Sequence, residues 1–196
     1  MNDNLNNFWN NKKVLITGHT GFKGSWLTIF LNYLGSEVHG LSREEKPGLY
    51  SMANVKELLS SETQADISTY DTSVLSTAIS KISPDIVFHM AAQSLVIKSY
   101  EDPKDTVYSN VIGTYNILDL INKSDNTKSL IIATTDKVYR YPEKENKEEA
   151  ELGGSDFYSA TKSSAELLIS AFKNSSKNDN LNICLLYTSD AADDLR

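Results

Sequence analysis

Lys13 to Gly24, KVLITGHTGFKG, decides the fold. Lys13 to Thr17 is a short β-branched, apolar run, the mark of a strand buried on both faces. Gly18-His19-Thr20-Gly21-Phe22-Lys23-Gly24 then turns the chain, and Trp26, Leu27, Phe30, Leu31 and Leu34 recur at helical spacing until Gly35 stops the helix. In this strand–turn–helix setting glycines let the backbone approach a pyrophosphate, and the helix offers it free N–H groups and the positive end of its dipole. Gly18, Thr20, Gly21, Phe22, Lys23 and Gly24 are therefore the first candidate cofactor residues.

Outward from this stretch the pattern repeats. Glu37 to Leu41 reads as a second strand, and a weaker one precedes Asp66-Ile67. After Pro84, Asp85 to Met90 is a buried strand; a long helix starts near Pro103, with Val107, Val111, Tyr115, Leu118 and Ile121 on one face. Leu130 to Thr134 is the fifth strand, a helix runs from about Tyr158 to Phe172 with Ala165, Leu168 and Phe172 inward, and a last strand starts at Leu181. The stretch 142–151, PEKENKEEAE, reads as a solvated loop and Lys173 to Asn180 as a polar connector. Alternating strands and helices give an α/β fold, a doubly wound, Rossmann-like parallel sheet.

Composition narrows the function. The 196 residues carry 19 Lys and Arg against 26 Asp and Glu, a net charge of -7, which argues against nucleic-acid or anionic-membrane binding. With 40% hydrophobic and 23% charged residues the chain is globular. A single Cys excludes an internal disulfide framework. No apolar run is long enough to span a bilayer, and MNDNLNNFWNNKK is not a signal peptide, so a soluble cytoplasmic protein without a metal is expected.

Two further motifs carry chemistry. Tyr158 and Lys162, spaced i, i+4 at a helix start, share one face, where a cation lowers the phenol pKa and lets Tyr act as a base. Thr134-Thr135-Asp136-Lys137 sits at the C-terminal end of the fifth strand, the edge that carries ligands in open α/β sheets. At the end of the second strand Ser42 and Arg43 stand where an acid would grip the adenosine ribose; Arg43 could instead favour a 2′-phosphate, which leaves NAD and NADP both open on chemistry alone.

The GxxGxxG spacing resembles the extended short-chain dehydrogenase/reductase superfamily. Within it the chain resembles the CDP-glucose 4,6-dehydratase family through KKVLITGHTGFKGSWL (12–27), HMAAQSLVIKSYEDP (89–103), NVIGTYN (110–116), TTDKVY (134–139) and GGSDFYSATKSSAE (153–166). Related dTDP-glucose and GDP-mannose enzymes usually have Thr-Asp-Glu where this chain has Thr135-Asp136-Lys137. The resemblance implies bound NAD, a CDP-glucose substrate and a homo-oligomer in the full-length enzyme. It implies Tyr158 as base for the C4 hydroxyl, Thr135 on the C4 oxygen, Lys137 as C5 base, Asp136 as acid for the C6 hydroxyl, and Lys162 on the nicotinamide ribose. Asp66 and Ile67 would border adenine, Ala91, Ala92 and Gln93 would line the cofactor, and Asn110 would sit behind the site. A sibling dehydratase, a 4-epimerase and a non-catalytic NAD(P)-binding module are the rival readings.

Residues 184–196 fit nothing around them. CLLYTSDAADD, Cys184 to Asp194, back-translates into a transposon-type sequencing adapter, so 1–183 is expected to be an incomplete cofactor domain, truncated near the sixth strand, and 184–196 non-native. The substrate domain of the resembled family is then absent, and the chain alone is expected to be inactive as a dehydratase.

Overall fold

The structure, a computed structural model, describes residues 7–44, 47–141, 146–176 and 178–188. Strands β1 (Lys13–Thr17), β2 (Glu37–Ser42), β3 (Ser61–Gln64), β4 (Ile86–His89), β5 (Ser129–Thr135) and β6 (Asn182–Thr188) form one sheet in the order β3-β2-β1-β4-β5-β6. Every adjacent pair is parallel. Parallel neighbours need long crossovers, and helices supply them: α1 (Phe22–Tyr33), α2 (Leu49–Met52), α3 (Ser73–Ile82), α4 (Val96–Glu101), α5 (Pro103–Val107), α6 (Gly113–Asn122) and α7 (Phe157–Ser175). This is the doubly wound sheet read from the sequence. The winding direction reverses between β1 and β4, which opens a crevice at their C-terminal ends.

The central strands are mostly apolar because both faces are covered. On one face Leu15, Val87, Leu130 and Ile132 pack with Leu75, Ile79, Ile117, Leu118, Ile121 and Ile169 from α3, α6 and α7. On the other, Val14, Ile16 and Val38 meet Leu31 of α1. Burying each such side chain contributes about 1.5–3 kcal/mol before conformational entropy is counted. β3, one of the two edge strands, reads Ser-Glu-Thr-Gln and is only partly buried.

Several helix faces differ from the sequence reading. Gly35 does end α1, at a left-handed φ of 86°, yet Trp26 and Phe30 are exposed and only Leu31 and Leu34 of the apolar set are fully buried. The helix after Pro103 is interrupted by a π turn over Tyr108–Ile112. One extra residue in a turn rotates the next turns of the helix by about 100°, so Val107 is out of phase with Asn110, Thr114, Ile117, Leu118 and Ile121, which face inward; Tyr115, on the flank of that stripe in α6, is exposed as well. Leu168 is likewise exposed. α7 is longer than expected at both ends and takes in Lys173 to Ser175, the start of the expected connector. Of the charged loop, residues 142–145 lie outside the described residues, as do Lys177 and residues 189–196 of the adapter-like tail; residues 184–188 form most of β6.

Candidate active site

The glycine loop leaves β1 with Gly18 at a φ of 74°, a conformation that suits glycine, and a Cβ there would lie 2.7 Å from the Ala91 nitrogen. A Cβ on Gly24 would collide with the Gly18 carbonyl. α1 therefore starts tight against the strand ends. Its N-cap, Gly21, makes no side-chain cap, and its first turn holds no acid. The orphan N–H groups and the dipole's positive end are left for an anion, with Lys23 beside them. This donor set fits a pyrophosphate.

His19 of the same loop turns away from the crevice. Its ring is fully buried, passes beneath Gly40 of β2, and its Nε2 donates to Glu62 Oε1 of β3 at 2.7 Å. Tyr50 donates to the same oxygen at 2.6 Å, and Lys56 lies 3.4 Å from the other. A Cβ on Gly40 would sit 2.7 Å from three ring atoms of His19. Gly40 is thus fixed by the ring packed against it, and the loop is tied across β2 to β3.

Behind β4 a hydrogen-bonded chain ties the sheet to the broken helix. Thr114 donates to the Asn110 carbonyl at 2.7 Å, so its hydroxyl accepts from His89 Nε2 at 3.1 Å, and His89 Nδ1 accepts from Thr17 at 2.7 Å. Burial drives His89 down to about 3 and keeps the ring neutral. Gln93 and Asn110 form a second knot: Asn110 accepts from the Gln93 nitrogen at 2.8 Å and donates to Gln93 O and to Thr161 of α7 at 3.0 Å.

α7 opens on a capping box in which Asp156 accepts from the Ser159 nitrogen at 2.9 Å. Tyr158 follows at the first turn, half-buried and hydrogen-bonded with Thr135 at the end of β5. One turn on, Lys162 is buried and donates to the Ala133 carbonyl at 2.7 Å. Burial lowers Lys162 to about 8, with Glu166 pulling the other way. The expected lowering of the Tyr158 pKa is not found. Burial raises it, the Thr135 hydrogen bond and the Lys137 charge oppose that, and Lys162, turned to a backbone carbonyl, contributes nothing resolved.

These groups surround a cavity of about 540 Å³ over the switch point, within the usual range for small-molecule sites. The loop residues Gly18, Thr20, Gly21, Phe22, Lys23 and Gly24 form its floor. Ser42, Arg43, Asp66 and Ile67 wall one end; Ala91 and Ala92 line the middle; Thr135, Lys137, Tyr158 and Lys162 close the other end. Three sequence candidates stand elsewhere. Gln93 and Asn110 lie buried behind the wall, holding it rather than lining it, and Asp136 is exposed on the turn at the rim. The sequence reading missed Glu44, Ser94, Leu95 and Ser109 on the wall, and the His19–Glu62 anchor; Thr134, which opens the strand-end motif, does line the cavity. A sixth-strand residue, Thr188, also reaches the cavity.

A parallel 3-2-1-4-5-6 sheet with a glycine loop after β1 and a Tyr–Lys pair facing the end of β5 defines a short-chain dehydrogenase-type α/β protein. The family described as GDP-mannose 4,6 dehydratase matches residues 15–190, and the chain belongs to that family. It is 42% identical over 176 residues to the CDP-glucose 4,6-dehydratase of Salmonella typhimurium, covering 86% of this chain and 47% of that one. It is 34% identical over 139 residues to a GDP-mannose 4,6-dehydratase of Vibrio cholerae, covering 66% and 37%. Among solved structures it is similar in fold to a UDP-glucose 4-epimerase from Brucella ovis in complex with NAD, at a TM-score of 0.74 and 23% identity, covering 91% of this chain and 51% of that one. The chain spans about half the length, or less, of the curated relatives it matches. Among the described residues no helix is long and apolar enough to cross a membrane.

Proposed function

We propose that this chain is the cofactor-binding and catalytic half of a cytoplasmic, NAD-dependent CDP-glucose 4,6-dehydratase that yields CDP-4-keto-6-deoxyglucose. The observation that carries the reading is the meeting of Thr135, Lys137, Tyr158 and Lys162 at one end of the cavity whose floor is the glycine loop. The similarity to the Salmonella enzyme supports CDP-glucose over its siblings.

NAD, with its pyrophosphate on the start of α1, would take hydride from C4 of the sugar and return it at C6. Tyr158 Oη accepts the C4 hydroxyl proton as that hydride leaves, and Thr135, already hydrogen-bonded with Tyr158, holds the C4 oxygen. The resulting C4 ketone acidifies the C5 proton. Lys137 removes it, and Asp136 at the rim protonates the departing C6 hydroxyl, so water leaves across C5–C6. A proton would then return to C5 as the cofactor gave its hydride back at C6. Lys162 holds the nicotinamide ribose and, freed from Ala133, brings its charge to Tyr158.

The test is an assay of protein carrying this sequence with CDP-glucose, GDP-mannose, dTDP-glucose and UDP-glucose in deuterated water. Water loss from CDP-glucose with one deuterium at C5 is the expected result. C4 inversion without deuterium would make it an epimerase, and preference for another nucleotide would reassign the substrate.

A further inference from the structure

The adenosine end of the cavity holds an ion-pair arrangement that local sequence does not suggest. Arg43 follows directly on β2, where a ribose 2′ substituent would lie. Its Nη1 donates to Asp105 Oδ1 at 2.8 Å and stands 3.8 Å from Asp66 Oδ2. Asp105 comes from α5, 62 residues along the chain, and its side chain is only 19% exposed. Lys98 lies 3.6 Å from its second oxygen, and Ser109 donates to the first at 3.4 Å. The Arg43 hydrogen bond holds the Asp105 carboxyl below its ordinary value and raises Arg43 in turn. With Glu44 also acting on Arg43, the cluster counts two cations and three carboxylates.

A 2′-phosphate would bring roughly two negative charges to an edge that already carries a net negative one, and would have to draw Arg43 off a charge-assisted hydrogen bond. A 2′-hydroxyl asks for neither: it can donate to Asp66 and accept from Arg43 with the pair intact. We propose that Asp105 selects NAD over NADP by holding the Arg43 guanidinium. Asp105 is a specificity-determining residue that acts through Arg43, and the assignment rests on reading this cavity as a dinucleotide site with its adenosine at the β2–β3 end.

The test is calorimetric titration with NAD, NADP, AMP and 2′,5′-ADP. The unaltered chain is expected to bind NAD more tightly than NADP. Asp105→Asn is expected to raise the NADP-to-NAD affinity ratio about fivefold or more, with the same gain in the 2′,5′-ADP-to-AMP ratio and a steeper loss of NADP affinity with salt. Asp105→Asn with Arg43→Ala is expected to lose that gain. An unchanged ratio in Asp105→Asn, or a gain that survives removal of Arg43, overturns the role of Asp105 while leaving the cavity reading intact. Absence of NAD and AMP binding to the folded, unaltered chain overturns both. Asp105→Ser, which also removes the charge, takes the place of Asp105→Asn if the latter loses its cooperative melt.

Discussion

Gly40→Ala adds a single methyl group against the buried His19 ring. The new Cβ would sit 2.7 Å from the Cγ, Cδ2 and Cε1 atoms of His19, well inside van der Waals contact. The ring is fully buried, so it can yield only by moving off Glu62, to which it donates at 2.7 Å. Overpacking costs about 1–3 kcal/mol, and loss of a hydrogen bond to a charged group costs about 1.5–3 kcal/mol. Partial relaxation shares these costs, so a destabilisation of about 3 kcal/mol is expected, or a Tm lower by about 6–12 °C for a chain of this size. Thermal unfolding followed by circular dichroism reads it directly. His19→Ala removes the ring and makes a cavity that the methyl group added by Gly40→Ala can partly fill. The double variant should therefore be more stable than the sum of the two single effects by about 1 kcal/mol or more. A Gly40→Ala chain that melts within about 1 °C of the unaltered one, or strictly additive effects in the cycle, would refute the reasoning.

Lys162 is lowered from 10.5 to about 8, so between those values the unfolded chain binds more protons and stability rises with pH; Lys162→Met should remove that slope in urea titrations at pH 8 to 10 and weaken NAD binding. His89, lowered from 6.5 to about 3, takes up its proton only on unfolding as pH falls between those values. It should cost about 1.4 kcal/mol per pH unit below pH 6.5, and His89→Gln should flatten this acid limb. In protein carrying the whole active site, Lys137→Met should abolish deuterium incorporation at C5 while C4 oxidation persists, read by mass spectrometry of the sugar and by NADH absorbance; undiminished exchange would move the C5 base elsewhere.

Strands β1, β4 and β5 are legible in the sequence because burial on both faces leaves an apolar run, and β2 is legible from Val38 and Leu41 set between Gly35 and the charged residues after Ser42. β3 shows only as a weak strand because an edge strand with one exposed side has no need of such a run, and Ser61 to Gln64 contains no apolar residue. Helix faces are harder to read. Helical spacing assumes a constant period, and the π turn at Tyr108–Ile112 breaks it, which is why spacing alone puts Val107 on the wrong side. The glycine loop and the Tyr158–Lys162 pair declare themselves through local spacing. The pairs His19–Glu62 and Arg43–Asp105 join residues 43 and 62 positions apart, and only the folded sheet brings them together. Gln93 escapes a local reading for the same reason: its amide bonds to Thr106 and Leu95 point it away from the cavity its neighbours line.

The chain of donors running from Thr17 through His89 to Thr114 and the Asn110 carbonyl has one direction only. Its last link is spent on a backbone oxygen and its first on the ring's Nδ1, so the imidazole is held as the Nε2–H tautomer. Reversing any link would set two donors or two acceptors face to face. The ring is thus a built-in spectroscopic marker: its two ¹⁵N resonances should remain widely separated and unmoved from neutral pH down to acid unfolding. They would converge only when the end of β1, the end of β4 and the π turn come apart, which reports assembly of the crevice's rear wall without any ligand, label or turnover.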